Sequence, residues 1–469
     1  MKTNSADEKP AEKKLFGTDG IRGVAGEPPL DAKTIFVIGK CLGEFLAPQT
    51  SRPQVLIGED TRESSRWIGE TLAAGLREAG AEACTPGVLT TPGLAYATCA
   101  ERFTCGVMIS ASHNPFQDNG IKVFSASGYK LPDADELAVE RAIFAALSDG
   151  RPLEPRRLTM EPQHALVAPY VEFLRRRAEG IGKPPARRVV MDCANGSASA
   201  MAGEVFSEFG LELTLLADAP DGRNINLDCG SLHLENLRRA ILREHADLGV
   251  AFDGDADRAL FVTARGRVVN GDGVLLIASR YLQARGELRG SAVVGTVMSN
   301  LGLERALEAE GLRLVRTPVG DKYVLEEMLR RDANLGGEQS GHIIFRDLAT
   351  TGDGLLTAVE ILRISSESGR DLEQLVEGLR EFPQAIRNVR VREKIPLAEL
   401  PRVSEQIRSS ERSLGAAGRI VVRYSGTEPL VRVMVEAETE ALVEEHASAI
   451  VRTIGQSIGV SPAPAAPRR

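Results

Sequence analysis

Ser112 lies in Gly106-Val107-Met108-Ile109-Ser110-Ala111-Ser112-His113-Asn114-Pro115, where an apolar run meets a small polar turn that Pro115 keeps from continuing as a helix. A hydroxyl presented at the end of a buried strand can relay a phosphoryl group. Ser110 offers a second hydroxyl, but Ser112 sits at the turn, directly before His113. A serine before Asn-Pro is equally an ordinary turn cap. No G-x-S-x-G elbow surrounds it, as a hydrolase nucleophile would require. Lys122 follows in Asn119-Gly120-Ile121-Lys122. Beside such a serine it could neutralise charge or shuttle a proton; otherwise it is a surface lysine.

A second constellation is Asp253-Gly254-Asp255-Ala256-Asp257-Arg258, placed after the apolar run Leu248 to Phe252. Three carboxylates so close repel one another unless a cation sits among them. All-oxygen ligation favours Mg²⁺ or Mn²⁺ over zinc. An EF-hand is excluded, because Arg258 and Ala264 stand where its glycine and glutamate belong. A serine relay beside a hard-metal site points to phosphoryl transfer.

These turns need strands to carry them. Three segments repeat a strand, polar turn, amphipathic helix, glycine, strand order. They begin at Val55-Leu56-Ile57, Val189-Val190-Met191 and Ala292-Val293-Val294. Their helices run near Ser65 to Ala79, Ala198 to Phe209 and Leu301 to Glu310. Gly80, Gly210 and Gly311 close them at the C′ position. That rhythm predicts three similar α/β domains in tandem. The last stretch differs: strands near Arg419 to Tyr424 and Leu430 to Ala437, then a helix near Glu440 to Ile454, read as a smaller α+β domain. Candidate linkers are Arg151 to Pro155, Arg265-Gly266-Arg267 and Glu381 to Pro383.

Bulk composition agrees with a multi-domain globular chain. The 469 residues are 43% hydrophobic and 26% charged, with net charge -8. Basic residues are interspersed with acids, so nucleic acid is excluded as a partner. No apolar run reaches the ~20 residues of a bilayer span. Met1 to Lys14 lacks the apolar core of a secretory signal. The six cysteines form no C-x-x-C pair and fit buried thiols in a reducing cytoplasm.

Five motifs together resemble the α-D-phosphohexomutases, most closely their bacterial phosphoglucosamine mutase branch, from about Leu15 to about Ile454. They are Phe16-Gly17-Thr18-Asp19-Gly20-Ile21-Arg22-Gly23, Ser110 to Pro115, Asp253 to Arg258, Gly337-Glu338-Gln339-Ser340-Gly341-His342, and Arg423-Tyr424-Ser425-Gly426-Thr427-Glu428-Pro429. The resemblance implies three tandem α/β domains with mixed sheets and a smaller C-terminal α+β domain around a central cleft. The expected bounds are 15–150 for the serine loop, 165–264 for the metal loop, 267–380 for a sugar loop and 384–458 for a phosphate loop. The tails 1–14 and 459–469 are expected to be disordered. Ser112 would be the phosphorylated serine, and with Asp253, Asp255 and Asp257 would hold one Mg²⁺ per subunit. Arg22, Lys122, His113 and His342 would assist transfer and proton movement. Arg258, Glu338 and Ser340 would meet the sugar. Arg423, Ser425, Gly426, Thr427 and Arg432 would grip the non-reacting phosphate, which suits arginine forks and serine and threonine hydroxyls.

The implied reaction interconverts glucosamine 6-phosphate and glucosamine 1-phosphate through glucosamine 1,6-bisphosphate, which also serves as activator, and feeds UDP-N-acetylglucosamine synthesis. Gln339 and Tyr424 tilt the reading toward the amino sugar. Phosphomannomutase or phosphoglucomutase activity, a sugar-phosphate phosphatase, and an idle sugar-phosphate-binding protein are the alternatives. The family also implies a homodimer.

Overall fold

The computed structural model describes residues 14–149, 154–179, 184–207, 209–425 and 429–460. They group into two compact units. One runs through Thr296 and takes in Val315–Glu377; the other joins Val297–Leu314 to the chain from Gly378 onward.

The first unit repeats one sheet plan. Strands β1 (Ile21–Val24), β2 (Gln54–Glu59), β3 (Glu82–Val88), β4 (Cys105–Ile109) and β5 (Asp118–Ser125) make a 5-stranded sheet in the order β1-β5-β4-β2-β3. β2 runs parallel to β3 and β4, while β5 returns antiparallel to β4 and pairs β1 antiparallel. Every residue of β4 is buried, as expected of a strand flanked on both sides and covered on both faces. Helix Ala32–Leu46, capped by the Asp31 carboxylate on the Lys33 and Thr34 amides, and helix Ser65–Glu78 supply Ile35, Leu42, Ile68 and Leu72 to that core.

β6 (Arg188–Asp192), β7 (Glu212–Leu216), β8 (Leu248–Phe252), β9 (Ala259–Thr263) and β10 (Val268–Val269) follow the same plan, in the order β10-β9-β8-β6-β7. β6 is parallel to β7 and β8, and β9 is antiparallel to β8 and β10. The third sheet has four strands: β11 (Ala292–Thr296), β12 (Arg313–Thr317), β13 (Leu335–Gly337) and β14 (Ile343–Phe345), in the order β12-β11-β13-β14. The chemistry-bearing turns leave the first two sheets at the C-terminal ends of β4 and β8, where open α/β sheets bind ligands.

In the second unit β15 (Gln384–Arg390), β16 (Gly418–Tyr424) and β17 (Leu430–Ala437) form an antiparallel sheet with β17 central. Helix Glu440–Ile458 packs Ala447, Ile450 and Ile454 with the buried Val431, Val433 and Val435 of β17.

Four local expectations are corrected. Arg265-Gly266-Arg267 is not a linker but the tip of the β9–β10 hairpin: the Thr263 amide donates to Arg267 O at 2.9 Å, and the second sheet continues to Val269. The helix expected from Ala198 is split into a 3₁₀ turn at Ser197–Ala200 and a helix at Ala202–Ser207, because the Ser197 amide is drawn to Gly254 O at 2.8 Å. Lys14 is tied down, its amide donating to Glu140 Oε1 at 2.9 Å. Gly459 and Val460 are likewise anchored, Val460 donating to Arg390 O at 3.1 Å. Residues 1–13 and 461–469, with the other tail expectations, lie outside the described residues.

Candidate active site

The two serines of the first loop have different environments. Ser110 is fully buried; its hydroxyl donates to Asp60 Oδ2 at 2.7 Å and accepts the Ser112 amide at 2.9 Å. Ser110 is thus a strut. Ser112 has φ 54, in the left-handed region, which costs a residue with a Cβ about 1–3 kcal/mol and persists only when the surroundings enforce it. Arg62 enforces it. Its Nη2 donates to Ser112 O at 2.9 Å and Asn114 O at 2.8 Å, its Nη1 donates to Pro115 O, and its Nε donates to Asp60 Oδ2 at 2.9 Å. Asn226 Nδ2 reaches the Ser112 and Asn114 carbonyls at 2.9 and 3.1 Å. So held, Ser112 Oγ donates to Asp253 Oδ2 at 2.6 Å, with His113 Nδ1 3.2 Å away. Burial first, then Arg258 and Arg22, push the His113 imidazole down to about 4, so it is neutral.

The second sheet delivers the acidic turn to the same point. Gly254 touches the serine loop so closely that a Cβ there would stand 2.5 Å from Ser112 O, and only glycine fits. Oxygens of Asp253, Asp255 and Asp257 lie within 4.8 Å of one another, all three residues buried. Burial and the charges of Asp257 and Asp255 drive the Asp253 carboxyl well above its ordinary range. Asp255 Oδ2 accepts from Thr91 Oγ1 and from Lys122 Nζ at 2.7 Å, whereas its buried Oδ1 accepts no hydrogen bond. An oxygen-only cluster with strained carboxylates and an orphaned oxygen fits a hard divalent cation.

Cations ring this cluster. Lys122 is buried, with Nζ 2.7 Å from Asp255, 3.1 Å from Asp19 and 3.6 Å from Asp257. Burial alone would depress its ammonium; Asp19, Asp255 and Asp257 outweigh that and hold it above the usual lysine range. Asp19 also pairs with Arg22 and, at 2.6 Å, with Lys130, which reaches Asp321 at 2.5 Å. The Arg22 Nη1 donates to Asn114 Oδ1 at 3.4 Å. Arg258 Nε lies 3.7 Å from Asp257, and its amide donates to Asp253 Oδ1 at 3.2 Å.

The third sheet contributes the loop between β13 and β14. The Glu338 amide donates to His342 O at 2.9 Å, and Glu338 Oε1 accepts the Gly320 amide at 3.0 Å. Ser340 Oγ is buried and makes no hydrogen bond. His342 Nδ1 lies 3.5 Å from Asp257 Oδ1, and its Nε2 accepts the Gly352 amide at 3.0 Å. Burial works against its proton, but Asp257, Asp321 and Glu338 raise the imidazole to about 8. The Gly352 bond favours the neutral ring with its proton on Nδ1, so charging His342 would cost that bond.

In the second unit Arg423 on β16 stands directly opposite Arg432 on β17. Like charges in register repel, and burial with the Arg432 charge pulls Arg423 below the usual arginine range. Such a pair suits an anion. Ser425 is buried; its amide donates to Leu430 O at 2.9 Å and its carbonyl accepts Lys394 Nζ at 2.8 Å. Gly426 and Thr427 lie outside the described residues.

Family descriptions of phosphoglucomutase/phosphomannomutase match along the chain: alpha/beta/alpha domain I at residues 13–149, domain II at 168–266, domain III at 270–382 and the C-terminal domain at 387–453. The chain belongs to the phosphoglucomutase/phosphomannomutase family. Its relatives within that family include a phosphoglucosamine mutase of Solibacter usitatus, 52% identical over 451 residues and covering 95% of this chain and 99% of that protein. Another, from Shouchella clausii, is 44% identical over 451 residues, 95% of this chain and 99% of the relative. A crystal structure of a phosphoglucomutase/phosphomannomutase family protein from Burkholderia thailandensis superposes with TM-score 0.77 at 24% identity, covering 94% of this chain and 97% of that one.

In this family member the structure joins Arg22, Ser112, His113, Lys122, the three aspartates, Arg258, Glu338 and His342 through direct contacts or shared charge. Asp60, Arg62, Thr91, Asn226, Lys130 and Asp321 belong to the same network and stand in none of the five motifs. Asp60 and Arg62 had a signal, a polar turn at the end of β2 parallel to the serine strand. The others carry none without the fold.

Proposed function

We propose that the chain interconverts glucosamine 6-phosphate and glucosamine 1-phosphate by moving a phosphoryl group through Ser112. It is an isomerase of the phosphohexomutase class. The observation that carries the reading is Ser112 Oγ, fixed in a strained turn 2.6 Å from Asp253 Oδ2 at a buried triple-carboxylate cluster. The relatives named phosphoglucosamine mutase, at up to 52% identity, support the sugar.

In the forward half-reaction the phosphoryl–Oγ bond of phosphorylated Ser112 breaks and a bond to substrate O1 forms, giving the 1,6-bisphosphate. The O1 proton leaves to a neighbouring base; His113, whose Nδ1 stands 3.2 Å from Ser112 Oγ, is the imidazole placed beside that group. The bisphosphate turns over, the P–O6 bond breaks as the 6-phosphoryl group returns to Ser112 Oγ, O6 takes back the proton held by the base, and glucosamine 1-phosphate departs. Asp253, Asp255 and Asp257, with Ser112 Oγ, would hold Mg²⁺, which when bound supplies positive charge to the transferring group. Lys122, with its Nζ 2.7 Å from Asp255, supplies fixed positive charge beside the reacting group. Arg22 and Arg258 add charge around the same point, and His342 orients on Asp257. Glu338 and Ser340 are assigned to the sugar hydroxyls, and Arg423, Ser425, Gly426, Thr427 and Arg432 to the non-reacting phosphate. Water must be kept out, since it would discharge the phosphoserine.

Intact mass of the magnesium-loaded chain is expected to show one phosphoryl group, absent in Ser112→Ala. A coupled assay is expected to favour glucosamine 1-phosphate over glucose and mannose 1-phosphates. Equal rates on all three would give the phosphomannomutase/phosphoglucomutase reading instead, and free phosphate without isomer the phosphatase. A homodimer, checked by light scattering, and a cytoplasmic location, checked by fractionation, complete the proposal. Among the described residues no helix is long and apolar enough to cross a membrane.

A further inference from the structure

A cavity of about 640 Å³ opens at the C-terminal ends of β6 and β7 in the second sheet. β6 and β7 are parallel neighbours, so the cavity lies outside the carboxyl ends of two strands, the end of an open α/β sheet at which ligands bind, beside the β6–β8 crevice where the chain connections diverge. Nothing in the proposed phosphoryl transfer uses this cavity.

Its floor is Asp192, 1% exposed. Oδ1 accepts the Ala194 amide at 2.9 Å, but the buried Oδ2 makes no well-formed hydrogen bond. A buried carboxylate oxygen without a partner loses hydration with nothing in return. Burial pushes this carboxyl up, and the Gly230 and Ala194 amides offset only part of the effect. Ala217 and Cys229 provide apolar wall. Across the opening stand Asn236, Arg239 and Arg243 of helix Glu235–Glu244. Arg239 and Arg243 are one helical turn apart and share a face. Arg239 is held by Asn236 Oδ1 and, among the described residues, by no carboxylate. Among the described residues Arg243 pairs only with its half-buried neighbour Glu244, at 2.7 Å, a near-surface contact of little worth that an anionic ligand would displace.

Two guanidinium groups at a mouth, a short apolar wall and a proton acceptor on the floor define a ligand with a phosphate at one end and a hydroxyl at the other. We propose that this cavity binds a phosphorylated polyol, its phosphate on Arg239 and Arg243 and a hydroxyl donating to Asp192 Oδ2. The floor loop has a second face: the Ser197 amide donates to Gly254 O at 2.8 Å, and the Asn195 carbonyl accepts Thr61 Oγ1 at 2.6 Å. The cavity therefore shares one loop with the acidic turn.

Calorimetric titration of the magnesium-loaded full chain with glycerol 3-phosphate tests this. The wild type is expected to bind, R239E/R243E at least tenfold more weakly, and D192N severalfold more weakly. R423A, which removes an arginine of the other phosphate loop, should stay within twofold of wild type. Thermal melts establish that each variant is folded, and D192N stands in if the double variant is not. Unchanged affinity in both R239E/R243E and D192N, loss of binding in R423A instead, or no binding by the wild type would each overturn the proposal. Binding is read without turnover, so failure of the mutase assignment would be seen separately.

Discussion

Arg62→Lys should disable the serine loop while leaving the fold intact. The wild-type guanidinium, fully buried, serves the Ser112, Asn114 and Pro115 carbonyls and the Asp60 carboxylate together. An ammonium keeps the charge beside Asp60 but cannot span three carbonyls, since it lacks the planar fork. Asn226 still serves Ser112 O and Asn114 O, so the uncompensated loss centres on Pro115 O. A hydrogen bond from a charged donor contributes about 1.5–3 kcal/mol. That is close to the roughly 1–3 kcal/mol of strain stored in the left-handed Ser112 backbone. Losing it lets the turn relax, and at about 1.4 kcal/mol per decade the fraction with Ser112 in place falls about ten- to a hundredfold. Steady-state assays should show that drop in kcat, with KM for the sugar phosphate within twofold. Intact mass should show slower phosphorylation of Ser112. Adding Asn226→Ala should cost more than the two single losses combined, because both donors share two carbonyls. Arg62→Ala is a poorer probe: it leaves Asp60 buried and unpaired, at a cost of about 3–5 kcal/mol. A well-folded Arg62→Lys enzyme with wild-type kcat, or a loss residing wholly in KM, would refute the clamp.

Gly196→Ala should damage the metal turn from behind. A Cβ there would stand 2.3 Å from Gly254 O and 2.7 Å from Gly254 Cα, so the variant should need more magnesium for half-maximal activity while keeping its circular dichroism spectrum. Asp353→Asn should flatten the pH dependence of stability. Burial raises the Asp353 carboxyl from 3.8 to about 7, with Tyr170 and the Leu356 amide offsetting part of it. The folded state then holds a proton that the unfolded chain has released, so wild-type stability falls as pH rises from about 4 to about 7, by up to about 4 kcal/mol at 1.36 kcal/mol per unit. Asparagine still caps helix Gly354–Ser368. Parallel melting curves for the two proteins across that range would contradict the assignment. Arg423→Ala should raise KM for the sugar phosphate by tenfold or more, and relieve the repulsion on Arg432; intact mass should still find Ser112 phosphorylated.

What the sequence made legible is what lies close along the chain. The Ser112 turn, the Asp253 to Asp257 alternation and the strand-helix-glycine-strand rhythm each fit within a few to thirty residues, and periodicity and side-chain chemistry speak directly there. The β9–β10 hairpin is not legible, because Arg-Gly-Arg marks a turn without saying whether a strand returns to the same sheet. The helix after β6 is shorter than its apolar pattern suggests, because the Ser197 amide at its start is bonded to Gly254 O, far away in sequence.

The same reasoning explains why half of the active centre was invisible. Arg62 and Asp60 are fully buried charges, which composition alone would place on the surface. Their partners are carbonyls on another strand, and a carbonyl has no residue identity to read. Parallel pairing of β2 with β4 is what puts Glu59 beside Ile109 and so brings the Asp60 turn against the serine turn. Asn226, from a loop, and Thr91, from the first turn of helix Thr91–Ala100, enter the same way, as segments that become neighbours only when the sheets are placed. A strained serine needs enforcement from outside its own segment, because a short polar turn has too few contacts to oppose 1–3 kcal/mol by itself. Ser112 at φ 54 therefore implies a buried donor fixed by a rigid strand, and Arg62, anchored on Asp60, is that donor.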